Sequence, residues 1–442
     1  MLQKKIKIFH VLNHFLPDKY AGTEIYVNAL CKYLLLNDIN SSILIPNYAS
    51  DTFYFYEFDG LNVCKYPETS LVDRDLILGF RNPDGLAHFT EYLKNERPSI
   101  VHFHEIAGSN GITLSHISAA KALGIKIVVT FHVVGYSCKS GSLIQSNYGL
   151  CNGVIETFKC SKCFLNTKLD SYSSFLLSTV SSFLNTCNIN TLNLKSQLGT
   201  ALSSAFLIDL HKKKLHFISD NADSIILLNE WYKNILLSNN VNSLKLKVVN
   251  QALPHDYDSF QTDNIQNDCL RLVYVGRISF IKGLHILVEA IMNLPKIKVE
   301  LYIYGSSEDN IYDVGLKKLS SNFENIKWMG IVNPKDVIRV LSEFDALCLC
   351  STISEMSPLV IQEAWAAGIP VIASNVYGNS AQIVNGHNGL LFDVNNSEEL
   401  KDIIFKCINN KELLKGLSKN IKKPRSFSEV GSEHIHLYNS IL

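Results

Sequence analysis

Short apolar runs recur along this chain, at 6–12, 42–46, 100–103, 126–131 and 224–228 in the first half and at 271–275, 298–304, 345–350, 370–373 and 389–392 in the second. Most are bounded by Gly, Asp, Asn or Ser, which predicts short strands buried on both faces. Longer segments with apolar residues at helical spacing lie between them, such as Leu284, Leu287, Val288 and Ile291 after Gly283. Alternation of this kind over the whole length predicts an α/β class with parallel sheets. The polar run from Pro254 to Asp268 predicts a linker. Two Rossmann-like domains facing each other across a cleft are therefore expected, the first over 1–255 and the second over 268–426.

Composition narrows the functional classes. The chain has 442 residues, 47% of them hydrophobic and 19% charged, with 41 basic and 41 acidic side chains. That balance supplies no global attraction for nucleic acid. The basic runs Lys4-Lys5-Ile6-Lys7, Lys212-Lys213-Lys214 and Lys422-Lys423-Pro424-Arg425 read as solvated faces. No apolar run reaches the ~20 residues of a membrane span. Ile6 to Leu12 reads as a first strand, because Lys7 interrupts the apolar stretch of a would-be signal peptide. Eleven unevenly spaced cysteines argue against a disulfide framework. A cytoplasmic protein is expected.

Two patterns in the second half carry chemistry. Gly276-Arg277 and Lys282-Gly283 bound a loop between a predicted strand and a predicted helix. In open α/β sheets ligands bind at that edge, and an Arg fork with a Lys point charge suits a diphosphate. A basic surface loop is the plainer reading. Glu355 lies in a polar loop after the strand 345–350, and Glu363 sits in the apolar helix that follows Pro358 and stops at Gly368. A carboxylate in that setting needs partners; ribose hydroxyls would serve, as would a nearby cation or water.

Residues 272–393 resemble the C-terminal domain of the retaining glycosyltransferases of family 4, which have the GT-B fold. The resemblance rests on Glu355-Met-Ser-Pro-Leu-Val-Ile-Gln-Glu363-Ala-Trp-Ala-Ala-Gly-Ile-Pro-Val-Ile-Ala-Ser374 and on Asn388-Gly-Leu-Leu-Phe392. It implies that Arg277 and Lys282 grip the donor diphosphate, that Glu363 binds the ribose and that Glu355 meets the donor sugar. Ser357, Pro358 and Leu359 would line the donor site, and Ile331 and Val332 would meet the nucleobase. It further implies transfer with retention from a nucleotide-diphosphate sugar to a glycan or lipid-linked acceptor, as in surface polysaccharide or lipopolysaccharide synthesis. No catalytic metal is required by that chemistry, and work at the inner face of a membrane would fit it. The C-terminal helix, 427–442, would return to the first domain. Met356-Ser357, Asn379 and Gln382 depart from the family pattern and bear on the donor sugar.

Other readings compete with transfer. They are a non-catalytic GT-B partner, a nucleotide-sugar epimerase, and a metal-dependent transferase of the other fold using Asp73-Arg74-Asp75 or Asp256-Tyr257-Asp258.

The first half holds fewer signals. Gly22 precedes an apolar helix, whose N-terminus would attract phosphate, and Thr23 is a candidate cap. His132 ends the strand 126–131 and resembles the family histidine near the anomeric carbon; a structural histidine is the alternative. His104, after the strand 100–103, is a candidate for the acceptor side. Cys138, Cys151, Cys160 and Cys163 suit one structural tetrahedral zinc, with buried thiols or a disulfide as the other readings. Residues 164–210 read as a helical insertion within the first domain.

Overall fold

The computed structural model describes residues 6–106, 111–145, 149–189, 191–194, 196–254, 269–296, 298–307 and 310–442. The chain divides into two compact units. The first comprises Met1–Ser140, Gly153–His255 and Ser426–Leu442; the second comprises Gly141–Asn152 and Asp256–Arg425. The expected linker lies, apart from Pro254, outside the described residues, as does Asp256-Tyr257-Asp258.

The first unit is built on eight strands: β1 (Lys7–Val11), β2 (Asn40–Asn47), β3 (Tyr54–Phe58), β4 (Leu61–Pro67), β5 (Ile100–Phe103), β6 (Lys126–Phe131), β7 (Ser224–Leu227) and β8 (Leu246–Val248). Their order is β3-β4-β2-β1-β5-β6-β7-β8. Only β3 runs antiparallel, to β4. The central strands β1, β5 and β6 are buried almost throughout, as their apolar runs predict. The chain first builds outward from β1 through β2 and β4, then crosses back to lay β5 on β1's other side. That reversal is a topological switch point, where the loops at the strand ends part and leave a crevice.

The second unit is a six-stranded, fully parallel sheet of β9 (Leu270–Val275), β10 (Val299–Tyr304), β11 (Ile326–Gly330), β12 (Ala346–Leu349), β13 (Val371–Ser374) and β14 (Gly389–Phe392). Its order, β11-β10-β9-β12-β13-β14, puts the switch point between β9 and β12. The helix Leu284–Met292 buries Leu284, Ile286, Leu287, Val288, Ala290 and Ile291 against this sheet's core.

The sequence pattern did not predict β3, β4, β8 or β11. The first two form a hairpin whose turn, Asp59-Gly60, has φ of 54° and 78°. Such an Asp-Gly pair between alternating residues is a hairpin signal. Half-exposed, tyrosine-rich β3 lacks the apolar run of a central strand. β8 and β11 are short edge strands.

Two boundaries differ from expectation or extend it. Gly141–Asn152, expected in the first domain, belongs to the second unit. The Ser354 N–H donates to Ser142 O at 2.8 Å and ties that segment to the second unit's loop. Residues 426–442 group with the first unit, where the helix Phe427–Ile441 opens on a Ser426/Glu429 capping box and buries Phe427, Val430, His434, Leu437 and Tyr438.

Candidate active site

In the second unit the site grows from the switch point. The loop after β9 carries Arg277 and Lys282, and the loop after β12 carries Ser351 to Ser357. Two glycines let the β12 loop close on the loop after β9 and on the loop after β13. Gly283 has φ +67°, and a Cβ there would lie 1.8 Å from Cys350 O at the end of β12. Gly378 has φ +89°, and its Cβ would lie 2.0 Å from Glu355 O. Any side chain would be strained by backbone angle and collide with backbone at both positions. The Thr352 N–H then donates to Ile281 O at 2.9 Å, and the Glu355 N–H to Tyr377 O at 3.1 Å.

The result is a charged pair at the sheet edge. Lys282 Nζ lies 2.6 Å from Glu355 Oε2, with the side chains 20% and 18% exposed. The Ser351 hydroxyl donates to Glu355 Oε1, and the Ser374 hydroxyl supports Ser351 by donating to its carbonyl at 2.7 Å. Arg277 is exposed in the same loop, its backbone carbonyl accepting from Tyr274 OH at 2.7 Å. The two expected donor contacts, Lys282 and Glu355, thus hold each other. A ligand phosphate reaching Lys282 would share it with Glu355.

Glu363 stands in the helix Leu359–Ala366, with Pro358 at the N-cap, one position before the first helical turn expected for it. Among the described residues no side chain pairs with its carboxylate, and burial pushes it up to about 7. No cation pairs with Glu363 among the described residues, and the side chain is half-buried, so contact with water stays open to it. Ser357 and Leu359 flank Pro358 at this helix start. Ile331 and Val332 follow Gly330 at the C-terminal end of β11, Ile331 being 78% exposed. Asn379 and Gln382, the departures from the family pattern, are structural here. Asn379 is buried and donates to Ser374 O at 3.0 Å; Gln382 donates to Gly378 O at 3.2 Å.

The first unit contributes histidines. β1 and β5 set His10 beside His102 in register, and His104, two residues on, takes the same face by strand alternation. His10 Nδ1 is 3.0 Å from His104 Nε2, and His104 Nδ1 is 3.1 Å from His132 Nε2. His102 bonds Tyr438 OH and Thr130 Oγ1, each at 2.7 Å. His434 Nδ1 is 2.8 Å from Val430 O. A carbonyl only accepts, so Nδ1 carries the proton and Nε2 accepts from Tyr26 OH at 3.2 Å. Burial pushes His10 down to about 3 and His434 to about 4, and holds His102 and His104 well below the ordinary histidine range. His132 is lowered to about 3, by burial first and by His434 second. At neutral pH this is a neutral chain that ends at partly exposed His132.

His104 is therefore not on the acceptor side. It is fully buried with both ring nitrogens engaged, so it can orient His132 but cannot reach a substrate. Among the described residues His10, His102 and His104 are the one group of three or more side chains placed to share a metal, and His102 and His104 already spend both nitrogens on protein partners.

Gly22 begins the helix Gly22–Leu36, whose N-cap is Ala21 with no side-chain hydrogen bond, so Thr23 is not the cap. A Cβ at Gly22 would meet nothing within 4 Å. The first turn also holds Glu24, which the sequence reading missed. It is fully buried with Lys19 Nζ 3.3 Å away, and burial raises its pKa. An acidic residue one turn into a helix with an uncapped start was the available signal.

The four cysteines do not assemble as expected. Cys160 and Cys163 lie on the helix Thr157–Asn166, with Cys160 Sγ 3.8 Å from Val154 O. Cys138 follows a short 3₁₀ turn, and no three of the first unit's cysteines form a metal-sized group among the described residues. Cys151 belongs to the second unit. All eleven cysteines are thiols.

Residues 258–424 match the family model described as glycosyl transferases group 1. An uncharacterized glycosyltransferase of Methanocaldococcus jannaschii, MJ1069, is 28% identical over 216 residues, covering 46% of this chain and 54% of that protein. The capsular polysaccharide biosynthesis glycosyltransferase CapM of Staphylococcus aureus is 26% identical over 241 residues, 50% of this chain and 62% of its own. The chain thus spans little more than half the length of these relatives. Among solved structures, Anabaena Alr3699/HepE in complex with UDP and glucose superposes with a TM-score of 0.62 at 14% identity, covering 98% of this chain and all of that one. At that identity the likeness concerns the fold, two parallel-sheet domains of the GT-B type. With the motif geometry and the family match in agreement, residues 258–424 are a group 1 glycosyl transferase domain.

Proposed function

We propose that the protein is a retaining, metal-independent glycosyltransferase. It would move a hexosyl group from a nucleotide-diphosphate sugar to a glycan or lipid-linked acceptor in surface polysaccharide or lipopolysaccharide synthesis. The observation that carries this reading is the Lys282–Glu355 pair at the β9/β12 switch point, with Arg277 in the same loop. As the anomeric bond breaks, negative charge builds on the diphosphate. Arg277 and Lys282 are preorganised cations for that charge, in the role a divalent metal takes elsewhere. Glu355, held by Lys282 and Ser351, is placed to position the donor sugar. Among the described residues Glu363 has no side-chain partner, and ribose hydroxyls would supply one. Ile331 offers an exposed apolar surface to a base. His132, neutral and braced by His104, contributes a hydrogen bond rather than a charge. HepE's complex with UDP and glucose and CapM's place in capsule synthesis support the donor and product classes.

Thermal stabilisation by a panel of UDP-, GDP- and ADP-sugars is the direct test of donor binding. NMR of the product's anomeric configuration tests retention, with activity expected to survive EDTA. An inverted product or loss of activity on chelation would contradict the mechanism while leaving donor binding intact.

Glu363 gives a separate prediction. An ordinary glutamate ionises near 4.5, and burial pushes the Glu363 carboxyl up to about 7. The folded state therefore binds this proton more tightly, and stability is lost as pH rises from about 4.5 to about 7. A shift of that size is worth at most about 3 kcal/mol. Glu363→Gln is expected to match the parent's melting temperature at pH 4, exceed it at pH 8, and weaken donor binding. Identical melting curves at both pH values would refute the unpaired carboxylate.

A further inference from the structure

One helix of the first unit is packed inside out. Ser171–Thr186 contains no charged residue. Its buried positions are Ser174, Ser178 and Ser181. Its outward positions include Tyr172 at 73% exposure, Phe175 at 47%, Leu176 at 45%, Val180 at 45% and Phe183 at 65%. A helix on a water-soluble surface has the opposite arrangement, and apolar exposure concentrated on one face marks an interaction site rather than scattered surface residues.

Polar contacts hold the helix in this orientation. Ser181 Oγ accepts from the Ala205 N–H at 2.9 Å, and Asn185 Nδ2 donates to Asp209 Oδ2 at 2.7 Å. Both partners lie on the helix Ser204–Asn221. Thr157 Oγ1 donates to the other oxygen of Asp209 at 2.6 Å, which fastens the neighbouring helix Thr157–Asn166 to the same point. Turning the helix to bury its aromatics would break these bonds. The small inward serines also let the three helices pack closely.

The surrounding charge identifies the occupant. Residues 157–170 contain Lys159, Lys162 and Lys168 against a single acid, Asp170, and Glu156 just before them pairs with Lys159 at 3.3 Å, which leaves Lys162 and Lys168 as the fringe. Asp170 is spent as the helix cap, accepting from the Tyr172 and Ser173 N–H groups. Lys162 Nζ lies over the Phe175 ring, 5.6 Å from its centre, so a positive charge adjoins the apolar face. A second copy of the chain would bring two lysine fringes together. An anionic lipid surface meets both the apolar face and the fringe.

We propose that this helix lies in the plane of an anionic membrane surface with its Phe175/Phe183 face among the acyl chains. It does not span the bilayer: it has 16 residues, where a span needs about 20, and no described helix is long and apolar enough to cross. The inference rests on helix packing and charge and is independent of the reaction assigned above.

The test uses the full chain with vesicles of phosphatidylcholine, with and without phosphatidylglycerol, in a flotation assay. The protein is expected to float with the anionic vesicles, less so in high salt. The Phe175→Gln/Phe183→Gln variant should lose roughly tenfold or more of that binding, and Lys162→Glu/Lys168→Glu should lose the preference for anionic lipid. Phe183 is exposed and Phe175 half-buried against Phe158, so the aromatic variant should keep a cooperative melt close to the parent's, which separates lost binding from lost fold. No flotation, or equal flotation of parent and aromatic variant, would overturn the proposal. So would a lipid-free dimer, seen by analytical ultracentrifugation, that the aromatic variant splits.

Discussion

Lys282→Ala is expected to lower turnover by roughly 10²–10³-fold, the usual cost of removing one preorganised charge from a developing anion. Arg277→Ala should fall in the same range. The physical reason is placement. The loop after β9 is held by Gly283 against Cys350 and by the Thr352–Ile281 backbone bond, so its cations are in position before the diphosphate arrives. Neither truncation touches the buried core of the second unit, and circular dichroism and melting should show intact folds. Rates with the preferred donor from the thermal panel decide the matter. Near-parental turnover in both variants would remove the diphosphate from this loop.

Glu355→Gln should also cost turnover heavily, and its combination with Lys282→Ala should be far from additive. The two side chains are 2.6 Å apart, so each single change leaves a half-buried partner uncompensated, with only Ser351 remaining on Glu355. Residues in one such network couple by about 0.5–3 kcal/mol. The double variant is expected to be little worse than the poorer single variant in kcat. Additive losses would mean that the two residues act on separate parts of the substrate and that their pairing is incidental. A kcat loss at unchanged KM would place Glu355's contribution in the transition state, whereas Glu363→Gln should act mainly through KM.

Much of the second unit is readable from the chain because its signals are local. A buried parallel strand needs a continuous apolar run, and Leu272 to Val275 in β9 and the four residues of β12 satisfy that whatever surrounds them. Glycine before and after a strand-to-helix loop, Arg277 and Lys282 between them, and Glu355 eight residues before Glu363 are likewise properties of short windows. The β3–β4 hairpin was equally local, and its Asp59-Gly60 turn was a signal passed over rather than a signal absent.

What the tertiary structure alone decided are the pairings. Seventy-three residues separate Lys282 from Glu355, and nothing local says that the cation expected on the phosphate is also the clamp on the carboxylate. His10, His104 and His132 become one chain only when three strands align in register, which makes His104 a support and not an acceptor contact. The four cysteines show the converse: closeness in sequence does not put any three of them in a metal-sized group among the described residues. The Ser171–Thr186 helix is the sharpest case. Its sequence shows both a serine face and an aromatic face, and hydrophobicity alone would bury the aromatics. The bonds of Ser181 and Asn185 to a helix some twenty residues on turn the serines inward. Sequence thus determines which segments are strand, helix or loop and which groups stand at the strand ends, since those depend on a few neighbouring residues. Which of these groups meet, and which face a helix leaves outward, depends on contacts between residues far apart in the chain, and those exist only once the sheets are assembled.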